Sequence, residues 1–441
     1  MADSVHACEH RMSMRRKRFS ARFFICQLIA IFSALIFSLS VNAGVAEGVV
    51  AYKAHNFALG LKEFAAAADS GDAAAQYNIG LMLERGEGVA QNYPDAAVWY
   101  GRSAEQGYVA AQFNLGVLYQ YGLGLNADPA LATAWYAKAA EQGFADAQYN
   151  LGVAYDQGLG VNPDVAQAAQ WYRRAANQGN ANAQNNLGSL YENGAGIERD
   201  FAQAAALYRA SAEQGHSLAQ TNLGQMYMRG SGVDHDDNQA AVWFAKAAAQ
   251  GDIHAQLLLA ADYARGIGVP QDFKAALLWY GRAAQQGSAD AQQKLGDMYR
   301  LGQGTAKDLK TATSWYRHAA EQGDAEALNN LGSIYDQGIG VPRNRALGFM
   351  LFSLALKSNP TASTTIQTAT DNRRSSMLQL SDREIDAAEV EAEAVHRGKQ
   401  TLAQAIDSYA KNAVVVPAKT AKPGKLAPPP EPLIHRIPDA N

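Results

Sequence analysis

Cysteine is almost absent from this 441-residue chain: its two thiols, Cys8 and Cys26, both lie near the start. The chain after residue 26 therefore has no disulfide, no thiolate nucleophile and no cysteine-ligated metal. Charged residues are also few, at 18% of the chain. After residue 43 there are 32 Lys/Arg and 40 Asp/Glu, a net charge of −8. That sign argues against nucleic acid or an anionic membrane surface as the principal partner.

Motifs for catalysis and nucleotide binding are missing as well. No G-x-x-x-x-G-K-[ST] and no G-x-S-x-G sequence occurs. The histidines at 55, 216, 235, 254, 318, 396 and 435 form no pair with metal-ligand spacing. We therefore expect no catalytic residue, no metal site and no cofactor.

Glycine, by contrast, recurs with a fixed period of 36 residues, at 71, 107, 143, 179, 215, 251, 287 and 323. A second glycine follows nine residues later in every copy except one, where Ala260 stands, and a Gly-x-Gly comes after it. Every tryptophan occupies one position of this repeat: Trp99, Trp135, Trp171, Trp243, Trp279 and Trp315. A period of this length over eight copies indicates stacked helical hairpins.

The copy that begins at Gly143 illustrates the expected first helix. At 100° per residue, one arc of residues 144–157 holds Ala147, Leu151, Ala154 and Tyr155, which predicts an amphipathic helix. Gly158 is placed to cap its end in the left-handed region. Gly152 lies inside this helix, where glycine costs about 1 kcal/mol relative to alanine. Its recurrence predicts a close approach of two helices at that point.

A second helix is predicted after Pro163, with Asp164 as its N-cap. Its apolar positions recur at spacings of three and four residues, at Ala168, Trp171, Tyr172 and Ala175. We expect each tryptophan to fill the space between hairpins, and its loss to cost about 3–5 kcal/mol if it is fully buried.

The pattern A-x-Y-N-L-G-x-x-Y…G-x-G-V…D…A…W-Y…A-A-E-Q-G resembles the Sel-1-like repeat family, a relative of the tetratricopeptide repeats. The resemblance covers residues 71–358 in eight registers. It implies an all-α fold, a right-handed superhelical α/α solenoid used for protein–protein contact. Bacterial members of the family resemble one another as exported adaptors, regulators and host-interaction factors.

The ends of the chain depart from the repeat. Residues 1–43 combine six Lys/Arg with an apolar run over 23–41 and small residues before Gly44, which predicts a signal peptide cleaved after Ala43. An uncleaved membrane anchor is the alternative. Residues 44–70 are expected to form a capping hairpin, and the repeat pattern stops at Asn359-Pro360.

Residues 359–412 are expected to form C-terminal capping helices. One of them should open with a capping box at Ser381 and Glu384 and run to about Arg397, where Gly398 breaks it. Residues 413–441 are rich in proline and lysine and are predicted to be disordered.

An asparagine recurs at one position of the first helix, and we call this set the asparagine ladder: Asn78, Asn114, Asn150, Asn186, Asn222 and Asn330. The tetratricopeptide resemblance implies that these amides face the concave groove and hydrogen-bond the backbone of a bound peptide. The alternative is that each amide ties its helix to the backbone of the neighbouring hairpin.

Partner selectivity would then come from the variable positions around the ladder. One turn before it stand Asp146 and His254, and one turn after it stands a varied row that we call the last-turn row: Arg85, Tyr121, Gln157, Asn193, Arg229, Arg265, Leu301 and Gln337. Residues 251–322 interrupt the ladder with Leu258 and Lys294 and also hold Asp297, so we expect a partner-specific site there. Drift within a tolerant repeat is the alternative.

The sequence therefore predicts an exported bacterial adaptor or regulator, periplasmic in location, that binds a protein or peptide on the concave face of its solenoid. A membrane-tethered scaffold of the cell envelope, attached only through the N-terminal segment, is one alternative. An enzyme or binder acting on a cell-wall polymer is the other.

Overall fold

The computed structural model describes residues 43–358 and 363–411, and these residues form 21 helices and no strand. The predicted all-α class is confirmed. In chain order the helices are α1 (Ala43–Lys53), α2 (Phe57–Asp69), α3 (Ala73–Arg85), α4 (Tyr93–Glu105), α5 (Val109–Tyr121), α6 (Pro129–Glu141), α7 (Ala145–Gln157), α8 (Val165–Asn177), α9 (Ala181–Asn193), α10 (Phe201–Glu213), α11 (Ser217–Arg229), α12 (Asp237–Ala249), α13 (Ile253–Arg265), α14 (Phe273–Gln285), α15 (Ala289–Leu301), α16 (Leu309–Glu321), α17 (Ala325–Gln337), α18 (Arg345–Lys357), α19 (Ser363–Met377), α20 (Asp382–His396) and α21 (Leu402–Lys411).

The chain divides into two compact units, one ending at Asp272 and the other beginning at Phe273. Within each unit, consecutive helices pack against each other as hairpins, and each hairpin packs on the next. None of the helices within the described residues is long and apolar enough to span a membrane.

The α7–α8 hairpin explains how one repeat folds. Leu151 and Ala154 of α7 are buried on the predicted arc, and Gly158 ends the helix with a left-handed φ of 70°. Asp164 then accepts a hydrogen bond from the N–H of Gln167 at 3.0 Å and begins α8. Both predicted caps are confirmed.

Two glycines permit close approaches that a side chain would block. A Cβ added to Gly152 would lie 2.6 Å from the ring of Tyr172, on the second helix of the same repeat. The predicted close approach of two helices is therefore confirmed. Gly160, in the loop that follows, has a φ of 72°, and a Cβ there would lie 2.3 Å from the carbonyl oxygen of Pro129 in the preceding repeat. This second glycine lets the loop pack on the hairpin before it.

Buried glutamines join each hairpin to the one before. Gln148 on α7 donates to the carbonyl of Ala140 in the preceding repeat at 3.1 Å and accepts from Gln178 at the end of α8 at 2.8 Å. The same amide–amide bond recurs at Gln106–Gln76, Gln142–Gln112, Gln214–Gln184, Gln250–Gln220 and Gln322–Gln292. We call these residues the glutamine chain. In the last repeat the equivalent position is Leu328, which is fully buried.

The tryptophans are half-buried in most repeats, so they lie between hairpins as expected but are not fully buried there. The fully buried aromatic residue is the next one along the helix, as at Tyr172 after Trp171. Five of the six tryptophan rings lie under a cation of their own helix, with the Arg174 guanidinium 4.4 Å from the Trp171 centroid. Trp171 also packs on a cluster that contains Tyr136 of the preceding repeat.

Helices outside the eight repeats pack on the first repeat and on the last one. Before the first repeat, α1 and α2 form a hairpin, with Phe64 fully buried. At the other end, α19 and α20 both pack against α18. The capping box of Ser381 and Glu384 is present, α20 ends at His396, and α21 follows Gly398 as predicted.

Three segments lie outside the described residues: residues 1–42 of the predicted leader (1–43), the Asn359-Pro360 break and the proline-rich tail. Their predictions therefore stand as they are.

Candidate partner-binding face

All six residues of the asparagine ladder lie on the first helix of their repeats and are half-buried. The Asn114 amide hydrogen-bonds to Tyr100, and Asn150 hydrogen-bonds to Tyr136 in the same way. Both tyrosines belong to the preceding repeat. These ladder amides therefore tie adjacent hairpins together, but through tyrosine side chains and not through the backbone that the alternative interpretation names.

Other ladder residues use different partners. Asn186 hydrogen-bonds to both Tyr149 and Tyr172 of the repeat before it. Asn222 donates to Asn185 at 3.1 Å, and Asn78 donates to the carbonyl of Ala74 in its own helix at 2.8 Å. The ladder is thus engaged within the protein, and an amide that also bound a peptide would do so with its remaining hydrogen-bonding capacity.

A second set of polar pairs underlies the ladder, which sequence reasoning missed. Tyr100 donates to Glu84 at 2.5 Å, and equivalent bonds join Tyr136 to Gln120, Tyr172 to Asp156 and Tyr208 to Glu192. In every case the acceptor precedes the tyrosine by 16 residues. Glu84 is buried, and this burial raises the pKa of its carboxyl group. The sequence offers only a weak signal for these pairs: Phe244 replaces tyrosine where the acceptor position holds Met228, but Tyr280 is kept with Ala264, and Phe352 stands with Asp336.

Asp146 lies at a junction between repeats. The amide of Asn180, which caps α9 through the Ala183 N–H at 2.9 Å, also donates to Asp146 at 2.9 Å. Burial raises the pKa of Asp146, and the hydrogen bond from Asn180 opposes that shift. The Asn180 side chain thus caps α9 and also links it to α7, the first helix of the preceding repeat.

The unusual residues of 251–322 fall in different surroundings. In the first unit, His254 is exposed and its Nε2 lies 2.6 Å from the Gln225 amide nitrogen, while Leu258 is half-buried. In the second unit, Lys294 pairs with Glu326 at 3.5 Å. The partner-specific site in this segment stays a prediction.

Asp297 is the most constrained of the predicted site residues. Its carboxylate accepts from Tyr316 at 2.6 Å, from Gln293 at 2.7 Å and from Arg300 at 3.2 Å. Three donors from its own unit hold the Asp297 carboxylate in place. Its role in the structure is therefore to stabilise the α15–α16 hairpin.

The last-turn row is more open than the ladder. In the first unit, Tyr121 is 53% exposed, and Gln157, Asn193 and Arg265 are also exposed. Arg229 pairs with Glu192 at 3.4 Å but keeps half of its side chain in solvent. These positions have the exposure and the chemical variety that selective contact requires.

Metal and acid–base chemistry find little support within the described residues, where no group of three or more His, Cys, Asp or Glu is placed to hold a metal ion. Asp262 is the one acid in the first unit whose pKa is raised to about 7, first by burial and then by the nearby Asp237. Its position is apolar in the other repeats, for example Met226 and Met298, and it is 8% exposed. We assign it no substrate contact.

Hairpins with one spacing, one glycine framework and one recurring glutamine bond to the preceding repeat define an α-helical repeat solenoid. The chain belongs to the Sel1 repeat family. The family model described as Sel1 repeat matches residues 73–108, 109–144, 145–180, 181–216, 217–252, 253–288, 289–324 and 325–360. Sel1 repeats generally mediate protein–protein interaction, and scaffolds of this family are typically non-enzymatic.

Solved structures agree with this membership. A Sel1 repeat protein from Oxalobacter formigenes is 36% identical, with a TM-score of 0.50, over 55% of this chain and 96% of its own. The Escherichia coli protein c5321, described as a protective antigen of uropathogenic strains with an SLR fold, is 30% identical over 86% of this chain and 96% of its own, with a TM-score of 0.47. No curated protein matches the chain.

Proposed function

We propose that this protein is a non-catalytic scaffold or adaptor of the bacterial cell envelope, and that it binds a protein or peptide on the face that carries the asparagine ladder. One observation carries the proposal. The glycines, glutamines and tyrosines that build each repeat recur in nearly every copy, with a few exceptions such as Ala260 and Leu328. The last-turn row beside the ladder is exposed at every position but Arg85, and it changes from copy to copy. A framework that repeats beneath a surface that varies suits the recognition of a specific partner.

The ladder itself contributes less selectivity than the last-turn row. Asn114, Asn150 and Asn186 already hydrogen-bond to tyrosines of the preceding repeat, so their first task is to hold the face in shape. Tyr121, Gln157 and Asn193 are exposed and would meet a partner first. Asn193 would do so with the hydrogen-bonding capacity that its bond to the Ser189 carbonyl leaves.

Site-specific photocrosslinking in cells tests the proposal. A photoreactive residue at Gln157 or Asn193 should give a discrete adduct with one partner. The same residue at Gln170, which is exposed on the outer side of α8, is the matched control. Equal adducts from all three positions would contradict a binding face at the last-turn row.

A double substitution separates binding from fold maintenance. Asn150→Ala with Asn186→Ala removes amides that contact Tyr136, Tyr149 and Tyr172, and we expect a lower melting temperature together with weaker adduct formation at Gln157. Loss of the adduct with unchanged melting would instead favour direct peptide contact by the ladder.

Export is part of the same proposal and rests on the basic and apolar character of residues 1–43. Sequencing the N-terminus of protein recovered from the periplasmic fraction should find Gly44 as the first residue. Membrane-bound protein that keeps the leader would favour the tethered scaffold.

A further inference from the structure

His216 occupies a junction of the kind that Asn180 makes one repeat earlier. It is the N-cap of α11, and its Nδ1 accepts a hydrogen bond from the N–H of Ala219 at 3.2 Å. Its Nε2 lies 3.0 Å from the side-chain oxygen of Asn182 on α9. The ring therefore caps its own helix and links it to the first helix of the preceding repeat.

The two contacts fix the protonation state of the ring. Because Nδ1 accepts from a backbone N–H, it carries no proton, and Nε2 must then be the nitrogen that donates to Asn182. A second proton could only be placed on Nδ1, where it would face the Ala219 N–H. The cap is compatible with the neutral imidazole alone.

We propose that His216 is a proton-operated joint of the stack, which holds repeats 181–216 and 217–252 together when neutral and loosens the start of α11 when it is protonated. The proposal goes beyond partner binding and does not depend on it. At mildly acidic pH the solenoid would become more flexible at this junction, while a junction such as that of Asn180 would keep its hydrogen bonds.

The surroundings of the ring favour the neutral form. Burial lowers the pKa of His216 and is the sole cause of the shift, so no charged side chain of α9 to α13 contributes to it among the described residues. Glu213 at the end of α10 is exposed. Asp252, at the start of α13, is committed to the Ala255 N–H at 2.7 Å and the Thr221 hydroxyl at 3.3 Å.

The sign of the pH dependence follows from the lowered pKa. The unfolded chain takes up the proton near pH 6.5, before the folded chain does. The stability contributed by this junction is therefore complete above that pH and falls as the pH drops toward the folded-state value.

Equivalent positions in other repeats do not behave in this way. They hold Asp72, Tyr108, Phe144, Asn180, Asp252, Ser288 and Asp324. None of these is an imidazole, the side chain whose ordinary pKa lies in the mildly acidic range. Burial raises the pKa of the Asp324 carboxyl, which lies in the second unit. Within the first unit, His216 is the only imidazole at this N-cap position.

Amide hydrogen exchange of the whole protein tests the proposal, compared at about pH 7.5 and about pH 5 after correction for intrinsic rates. We expect the Ala219 amide and its neighbours in the first turn of α11 to exchange about fivefold faster, or more, at the lower pH. The matching amide of Ala183 on α9, capped by Asn180, should keep its protection.

Two variants make the test decisive. His216→Asn copies the natural Asn180 junction and should remove the pH dependence while α11 stays protected. Asn182→Asp places a carboxylate against the ring and should raise the His216 pKa in an NMR titration. If Ala219 keeps its protection at low pH, or if His216→Asn loses protection as the parent does, the proposal is overturned.

Discussion

The hydroxyl of Tyr208 donates a 2.8 Å hydrogen bond to the carboxylate of Glu192, on the other helix of the same repeat. Arg229 of the next repeat approaches the second oxygen of that carboxylate at 3.4 Å. One carboxylate thus joins the two helices of a hairpin and the hairpin that follows. In the next repeat the equivalent positions are apolar, with Phe244 and Met228.

This natural replacement predicts the result of a double-mutant cycle. Tyr208→Phe alone should lower the free energy of unfolding by about 1–3 kcal/mol, because Glu192 loses a donor in a half-buried site. Adding Glu192→Met should recover most of that loss, since it recreates the Phe244 and Met228 pair. Denaturant unfolding of the three variants measures the coupling, and strictly additive losses would argue against it.

Glycine at position 152 should be irreplaceable for steric reasons. Gly152→Ala places a Cβ 2.6 Å from the Tyr172 ring and should cost about 1–3 kcal/mol. Gly101, inside α4, is the matched control because an added Cβ would meet nothing within 4 Å. Gly101→Ala should therefore stabilise the protein by about 0.5–1 kcal/mol. Thermal melting separates the two, and a shared sign would contradict the argument.

Tyr172 should matter more than Trp171, although tryptophan is the larger residue. Tyr172 is fully buried, so Tyr172→Ala should cost about 3–5 kcal/mol. Trp171 is half-buried under Arg174, and Trp171→Ala should cost about 1–2 kcal/mol through lost packing and cation–π contact. Equilibrium unfolding in urea compares them. A larger loss of stability for Trp171→Ala than for Tyr172→Ala would show that the tryptophan contributes more to the core.

Asp262 should destabilise the protein at neutral and higher pH. Its folded-state pKa of about 7 lies above the unfolded value, so the stability present at low pH is lost as the pH rises toward 7. Asp262→Met, which copies Met226 and Met298, should add about 1–3 kcal/mol at about pH 8 and much less at about pH 4. Melting temperatures at the two pH values report this difference. An equal gain at both would show that packing, not charge, governs the effect.

The helices of the repeats and their caps could be predicted from the sequence alone. Gly158, Asp164 and Ser381 are caps that act within a few residues, so their roles follow from local spacing. Gly152 could be predicted as a contact because a costly residue recurs at one position. Its partner, Tyr172, could not be named without the geometry of the hairpin.

The interpretation of buried polar residues was less complete. Gln148 looks like a surface residue of an amphipathic helix, yet it is buried because a carbonyl of the previous repeat, that of Ala140, needs a donor. For tryptophan the error was the opposite one. Its size suggests full burial, but Trp171 is half-buried, with the Arg174 guanidinium over its ring. The sequence could not decide the role of the asparagine ladder, because one amide can hydrogen-bond either to a tyrosine hydroxyl or to a peptide backbone.

The glutamine chain bears on how such a protein changes in length. Each repeat bonds to its immediate neighbour through the same pair of atoms, as Gln148 donates to the Ala140 carbonyl and Gln184 to the Ala176 carbonyl. A tandem duplication or loss of one 36-residue segment by unequal recombination would leave the new neighbours with complementary surfaces already in place. The last copy has Leu328 at this position and therefore makes no such bond to the repeat before it.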